Sequence, residues 1–192
     1  MFEHKDKTNI SSLGEFKLID HLTKSFTISK EETVLGIGDD AAIIESKGKY
    51  QLISTDMLIE NIHFDIMYSP LVHIGYKAIS SNISDICAMN ARATQVLVSI
   101  AISSKYTLEA IEELYVGMRA ACEKYDIQLI GGDTSSSVTG MVISVTAIGY
   151  ADKKAIVQRS GAKEGDLICV SGDLGGAYMG LQLLEREKQV YL

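Results

Sequence analysis

Cysteine is scarce, and its scarcity excludes two kinds of architecture. The three present, Cys87, Cys122 and Cys169, are odd in number, widely spaced and form no C-x-x-C. Neither a disulfide framework nor a zinc site is expected; reduced, mostly buried thiols fit a cytoplasmic protein. Basic residues are also short, 18 Lys and Arg against 25 Asp and Glu, for a net charge of −7. Nucleic acid as a partner needs basic clusters to neutralise phosphates, so the balance argues against it. An anionic substrate stays open, because bound Mg²⁺ reverses the local sign. No apolar run approaches membrane-spanning length, and Met1–Lys7 is polar and lacks the apolar core of a signal segment. Internal repeats and low-complexity tracts are missing too.

What is present is ordinary globular material. Hydrophobic residues make up 46% of 192, enough to bury a core without staples. Gly14–Ser25 carries Phe16, Ile19 and Leu22 at helical spacing, with Phe26 directly after. Short strands are expected at Val34–Ile37, Ala41–Glu45 and Tyr50–Thr55, between glycine or charged turns. Ser69-Pro70 is a good helix start: Ser caps free N–H groups and Pro suits the first position. That helix should run to about Asn90. Thr94–Ile102 is rich in strand formers. Thr107–Tyr125 reads as a second helix, with Glu109, Glu112 and Glu113 at its positive end. Strands follow at Ile127–Ile130, Met141–Tyr150 and Leu167–Val170, then a helix over Ala177–Lys188. Strands and helices mix without regular alternation, so the fold class is α+β.

Aspartates recur after small or hydroxyl residues: Gly38-Asp39-Asp40, Ser54-Thr55-Asp56, Ser84-Asp85 and Gly132-Asp133-Thr134. Hard cations such as Mg²⁺ take oxygen ligands, usually a few carboxylates with water and substrate phosphates. Small neighbours let a polyphosphate approach the backbone. Asp and Gly are also ordinary turn formers, and that reading stands beside the metal one. Asp85 is the least turn-like. It lies inside a helix, three residues after Asn82 and on the same side. A carboxylate there must be solvated, paired or metal-bound.

His63 follows Asp56 in the alternating stretch Ile59–Asp65, where a structural and a functional imidazole are both open. No Ser/His/Asp or Cys/His set offers a covalent nucleophile. Gly36-Ile37-Gly38 lacks the rest of a dinucleotide fingerprint, and Gly172-Asp173-Leu174-Gly175-Gly176 lacks the Gly-Lys-Ser/Thr of a P-loop.

Taken in order, Gly36–Ala42, Ser54–Asp65, Gly75–Ala78, Asn82–Ala91, Gly131–Thr134 and Arg159–Lys163 resemble the thiamin-monophosphate kinases, in the superfamily of aminoimidazole ribonucleotide synthetase. The resemblance covers nearly all of the chain from Gly14. It implies ATP- and Mg²⁺-dependent phosphorylation of thiamin monophosphate to thiamin diphosphate, by in-line transfer between two anions that several Mg²⁺ ions neutralise. The acceptor is a phosphate oxygen, so no strong base is needed. By the resemblance, Asp39, Ser54, Thr55, Asp56, Asp85 and Asp133 are metal ligands, with the four aspartates at the catalytic centre. Tyr115, Gly132, Asp133 and Arg159 contact ATP, and His63 touches thiamin monophosphate. The implied fold is an amino-terminal domain with a mixed sheet and helices on one face, paired in a homodimer, followed by a second α/β domain.

The expected division is 1–150 for the metal- and ATP-binding domain, and 151–192 for a linker and the beginning of a truncated second domain. The family's second-domain Ser-Asp-Gly motif is not in the chain, and Ser135-Ser136-Ser137 stands where Thr-Arg-Gly is often found. This chain alone is therefore expected to be weakly active or inactive. Two other functions fit the same residues: another ATP-using enzyme of the superfamily, and a non-catalytic dimerisation module.

Overall fold

The structure is a computed structural model that describes residues 9–191; the polar start Met1–Lys7 lies outside the described residues. A 3-10 turn, Ile10–Ser12, leads into α1 (Gly14–Thr23). There follow β1 (Thr33–Leu35), β2 (Ala42–Ser46), β3 (Lys49–Ile59), α2 (Leu71–Ala88), β4 (Arg92–Ile102), α3 (Leu108–Tyr125), β5 (Gln128–Ser136), β6 (Val142–Ala151) and α4 (Gly176–Tyr191). The strands form one six-stranded sheet in the order β1-β2-β3-β6-β4-β5. Neighbours are antiparallel except β4 and β5, which run parallel. A parallel pair needs a crossover, and α3 supplies it. The class is α+β, a mixed sheet with two helices packed on one face.

Alternation along the strands decides which face those helices cover. Leu52 and Leu58 of β3, Val96, Val98 and Ile100 of β4, and Ile143, Val145 and Ala147 of β6 are all buried. Against them α2 sets Ile74, Ala78, Ile79, Ile83 and Ile86. Helix α3 packs on α2 with Leu114, Met118 and Ala121. The two helices approach closely because glycines meet there. A Cβ on Gly75 would lie 1.9 Å from the Leu114 carbonyl oxygen, and one on Gly117 would lie 1.8 Å from that of Val72. The opposite face, with Met57 half exposed, is not covered by α2 or α3.

Several local expectations change. Pro70, not Ser69, is the α2 cap residue, and no side chain caps that end. Thr107 does cap α3, accepting from the Ala110 N–H at 3.3 Å. Ile59–Asp65 is a tight turn rather than an alternating strand: the Ile62 and His63 N–H groups both fold back to the Ile59 carbonyl. Leu167–Val170 is not a strand, since no neighbouring strand offers it a ladder; Ile168 is 98% exposed. Only Cys122 of the three cysteines is buried. Among the described residues no helix is long and apolar enough to cross a membrane.

Candidate metal and acceptor site

The site begins where β3 passes under α2. Residues 52, 54, 56 and 58 point toward the helix, and the even positions in the middle are polar. The Ser54 hydroxyl donates to Asp85 Oδ2 at 2.8 Å. Two residues on, the Asp56 N–H donates to Asn82 Oδ1 at 2.9 Å. Asn82 is fully buried and its Nδ2 donates to the Ala78 carbonyl at 2.8 Å, so the amide pins strand to helix. The three-residue spacing of Asn82 and Asp85 thus has a purpose: one holds the backbone of Asp56, the other reaches its neighbour's hydroxyl.

The loop before β2 adds Asp39 and Asp40. Met89, at the end of α2, accepts the Ala41 N–H on its sulfur at 3.1 Å. Its carbonyl accepts the Val157 N–H at 3.3 Å, and Asn90 Nδ2 donates to the Ala155 carbonyl at 2.8 Å. These contacts bring the segment after β6 to the same place. There the Arg159 N–H donates to Asp39 Oδ2 at 3.3 Å, and its guanidinium grips Asp40, with Nε at 3.1 Å and a second, shorter contact from the terminal nitrogen.

Electrostatics mark the cluster as short of positive charge. The Asp85 carboxyl is raised above the ordinary range, first by burial, then by the charges of Asp56 and Asp40; the Ser54 hydroxyl and Arg159 only partly offset this. Arg159 is raised in turn by its bond to Asp40 and by the nearby Asp39 and Asp85. The donors are carboxylates and a hydroxyl, the chemistry a hard cation takes. Among the described residues, however, no three acidic, His or Cys side chains stand close enough to chelate one ion. The set therefore fits Mg²⁺ in its usual manner, one or two carboxylates completed by water and substrate phosphate.

The predicted site divides along the sheet. Asp39, Ser54, Asp56, Asp85 and Arg159 come together. Thr55 points to the other face, where its hydroxyl donates to the Val145 carbonyl at 3.2 Å and meets Thr146. Asp133 is not at a strand end but within β5, in register with Ser99, which pairs with Ser144 and so with Met57. That row belongs to the uncovered face, three strands from Asp56, or about 14 Å at the usual strand spacing. Gly132 owes its residue type to packing: a Cβ there would lie 1.7 Å from the Val98 carbonyl oxygen. Tyr115 is half-buried on α3 against the core.

His63 sits at the exposed tip of the turn after β3. Its Nδ1 accepts the Ile59 N–H at 3.0 Å, so the neutral ring carries its proton on Nε2. Below it Glu60 is buried, which nothing nearby in the sequence foretells. Its carboxylate accepts from Lys105, from the Tyr106 hydroxyl at 2.8 Å and from the Met141 N–H at 2.7 Å. Burial pushes its pKa up, but these donors together take it below the ordinary value. Asp40 was also hidden: two adjacent carboxylates give no sign of which one Arg159 will grip.

Residues 38–151 match the model of the AIR synthase related protein, N-terminal domain. The chain belongs to that family. Among its curated relatives, the thiamine-monophosphate kinase of Bacillus subtilis (strain 168) is 41% identical over 176 residues, covering 91% of this chain and 54% of its own. That of Aquifex aeolicus (strain VF5) is 38% identical, over 95% of this chain and 56% of its own. A solved structure of AaThiL complexed with AMPPCP and TMP superposes with a TM-score of 0.84 at 36% identity, covering 95% of this chain and 56% of that one. The chain thus spans about half the length of the curated family members it matches.

Proposed function

We propose that this chain is the metal- and ATP-binding part of a kinase that phosphorylates thiamin monophosphate to thiamin diphosphate in the cytoplasm. The observation that carries the reading is the α2–β3 junction, where Ser54, Asp56 and Asp85 assemble hard oxygen donors lacking positive charge. The names of the relatives, and the AMPPCP and TMP held by the AaThiL structure, support it.

In this mechanism Asp56 and Asp85 would hold Mg²⁺ on the α2 side, with Asp39 beside them. Bound there, such ions would supply the positive charge that two anionic phosphates need to approach in line. Arg159 exchanges Asp40 for the ATP phosphates. His63 donates from Nε2 to the acceptor phosphate. The acceptor oxygen is already ionised, so the residues bind and align rather than remove a proton.

Asp133 and Thr55, on the uncovered face, enter the site through pairing of two chains. The half-exposed Met57, with Ile53, Leu97 and Ile148 in the same face, is an apolar surface that closed two-fold pairing covers. Residues 1–150 form the pairing and binding domain, and 151–192 lead toward a second domain. In support, β6 ends at Ala151, and Asp152–Gly175 contains no helix or strand. Light scattering should find a dimer at micromolar concentration.

The deciding experiment is ATP turnover with thiamin monophosphate and Mg²⁺, comparing this chain with a protein carrying the second domain. The longer protein should form thiamin diphosphate and this chain little. Absence of product from the longer protein, with ATP still bound, would move the reading to another ATP-using enzyme of the family.

A further inference from the structure

We propose that Lys77 is a positioning residue for His63, setting the imidazole that meets the acceptor phosphate. Lys77 lies on α2, two turns before Asp85 and on the same side (i, i+4, i+8), so one helix edge reaches both the acceptor turn and the metal carboxylates. Its ammonium donates to the His63 carbonyl at 2.8 Å.

The turn it touches is anchored at both ends, and its exposed tip is closed by the Ile62 and His63 N–H groups on the Ile59 carbonyl. Glu60 and Phe64 are buried, and the Asn61 N–H donates to the Phe64 carbonyl at 2.8 Å. Ile62 at the tip is 74% exposed, and His63 is exposed beside it. Three bonds orient the imidazole residue: its own N–H donates to the Ile59 carbonyl at 2.8 Å, the Ile59 N–H donates to its ring nitrogen, and Lys77 donates to its carbonyl. The Ile59 bond selects the tautomer, leaving Nε2–H as the donor on the far side of the ring. The Lys77 bond fixes the backbone from which that ring projects. A charge-assisted bond is the stronger kind, and here it adds a side-chain hold from α2 to the turn's own main-chain bonds. The consequence for ligand binding rests on the reading of His63 as the acceptor-side donor; the geometry does not.

The Ile59 amide reports the arrangement directly, because its proton is donated to the imidazole. Hydrogen exchange by NMR on the 192-residue chain compares wild type, Lys77→Met, Lys77→Arg and His63→Ala. In Lys77→Met, Ile59 should exchange about tenfold faster, while the core amide of Val145 keeps its protection. Arg at 77 should restore Ile59. Affinity for thiamin monophosphate, followed by NMR titration, should weaken about tenfold in Lys77→Met with ATP affinity unchanged. Wild-type protection of Ile59 in Lys77→Met overturns the inference, as does equal loss at Ile59 and Val145. If His63→Ala exposes Ile59 yet binds thiamin monophosphate as wild type, the acceptor role of His63 fails. The Lys77–His63 coupling is then judged on exchange alone.

Discussion

Gly75 and Gly117 face each other across the α2–α3 contact, each lying where a Cβ would enter the other helix's backbone at under 2 Å. The obstacle is main chain, which cannot rotate away as a side chain can. Replacing either glycine by alanine should therefore separate the helices, although alanine is the better helix former. Overpacking of this kind costs about 1–3 kcal/mol, more where backbone must move. Thermal melts of Gly75→Ala and Gly117→Ala should fall by at least about 2–4 °C for each kcal/mol lost. An unchanged melting temperature would mean that the helices stand farther apart than described.

A second prediction concerns pH and Glu60. Its side chain is 3% exposed, and Lys105, Tyr106 and the Met141 N–H hold it ionised, below its ordinary pKa despite burial. A depressed folded-state pKa adds stability that is present above the unfolded value and disappears as pH falls through the folded one. Glu60→Gln should therefore melt well below wild type at pH 7. The gap should narrow as the pH drops below about 4, where the wild-type carboxylate is also being protonated. Breaking a buried pair costs about 3–5 kcal/mol when one charge is stranded. Lys105 is partly exposed and hydrates once released, so the lower end applies here. A gap that stays constant from pH 7 to pH 3 would contradict the ionised pair.

These two features differ in how far the sequence announces them. Helix α3 was plain from Thr107, the acidic first turn and the spacing of Leu114, Met118 and Cys122, because all of that information is local. The α2 stripe and the pairing of Asn82 with Asp85 were plain for the same reason. Glu60 was not: its partners lie 45 or more residues away and meet it only through the fold. Thr55 stands between Ser54 and Asp56 in the sequence but faces the other way, because neighbours in a strand alternate, a parity rule the sequence already contains. Asp133 is the harder case. Its face depends on the register of β5 against β4, which shifts at Val96/Leu97. No pattern in Gly-Gly-Asp-Thr encodes that shift.

Asp85 offers a third test. Its carboxyl is the one that β3 and α2 jointly aim into the cluster, bonded to Ser54 and close enough to Asp56 and Asp40 to feel their charges. Asparagine has nearly the same shape and can still accept from Ser54, so Asp85→Asn should fold as wild type. It removes a formal charge from the hard-cation donors. Titration with Mn²⁺, followed by electron paramagnetic resonance, should show binding to wild type and much weaker binding to the variant. Equal binding would place the cation elsewhere and leave Asp85 as a strap between β3 and α2.

Arg159 supplies the last test, because it occupies the position a metal would compete for. Its guanidinium is committed to Asp40 and its N–H to Asp39, while the charges of Asp39 and Asp85 strengthen its own. With no nucleotide present, that cation repels an incoming divalent ion and covers one of its carboxylates. Arg159→Gln should therefore bind Mg²⁺ or Mn²⁺ several-fold more tightly than wild type in the absence of ATP. The same variant should bind ATP more weakly, because the guanidinium is no longer available to the phosphates. Both differences should shrink as salt rises, since the guanidinium is exposed, though Asp40 is only partly so. Calorimetric titration of each ligand separates the two effects. A loss of both affinities would mean that Arg159 only shapes the Asp39–Asp40 loop, and a gain in metal affinity with ATP binding unchanged would remove it from the nucleotide's contacts.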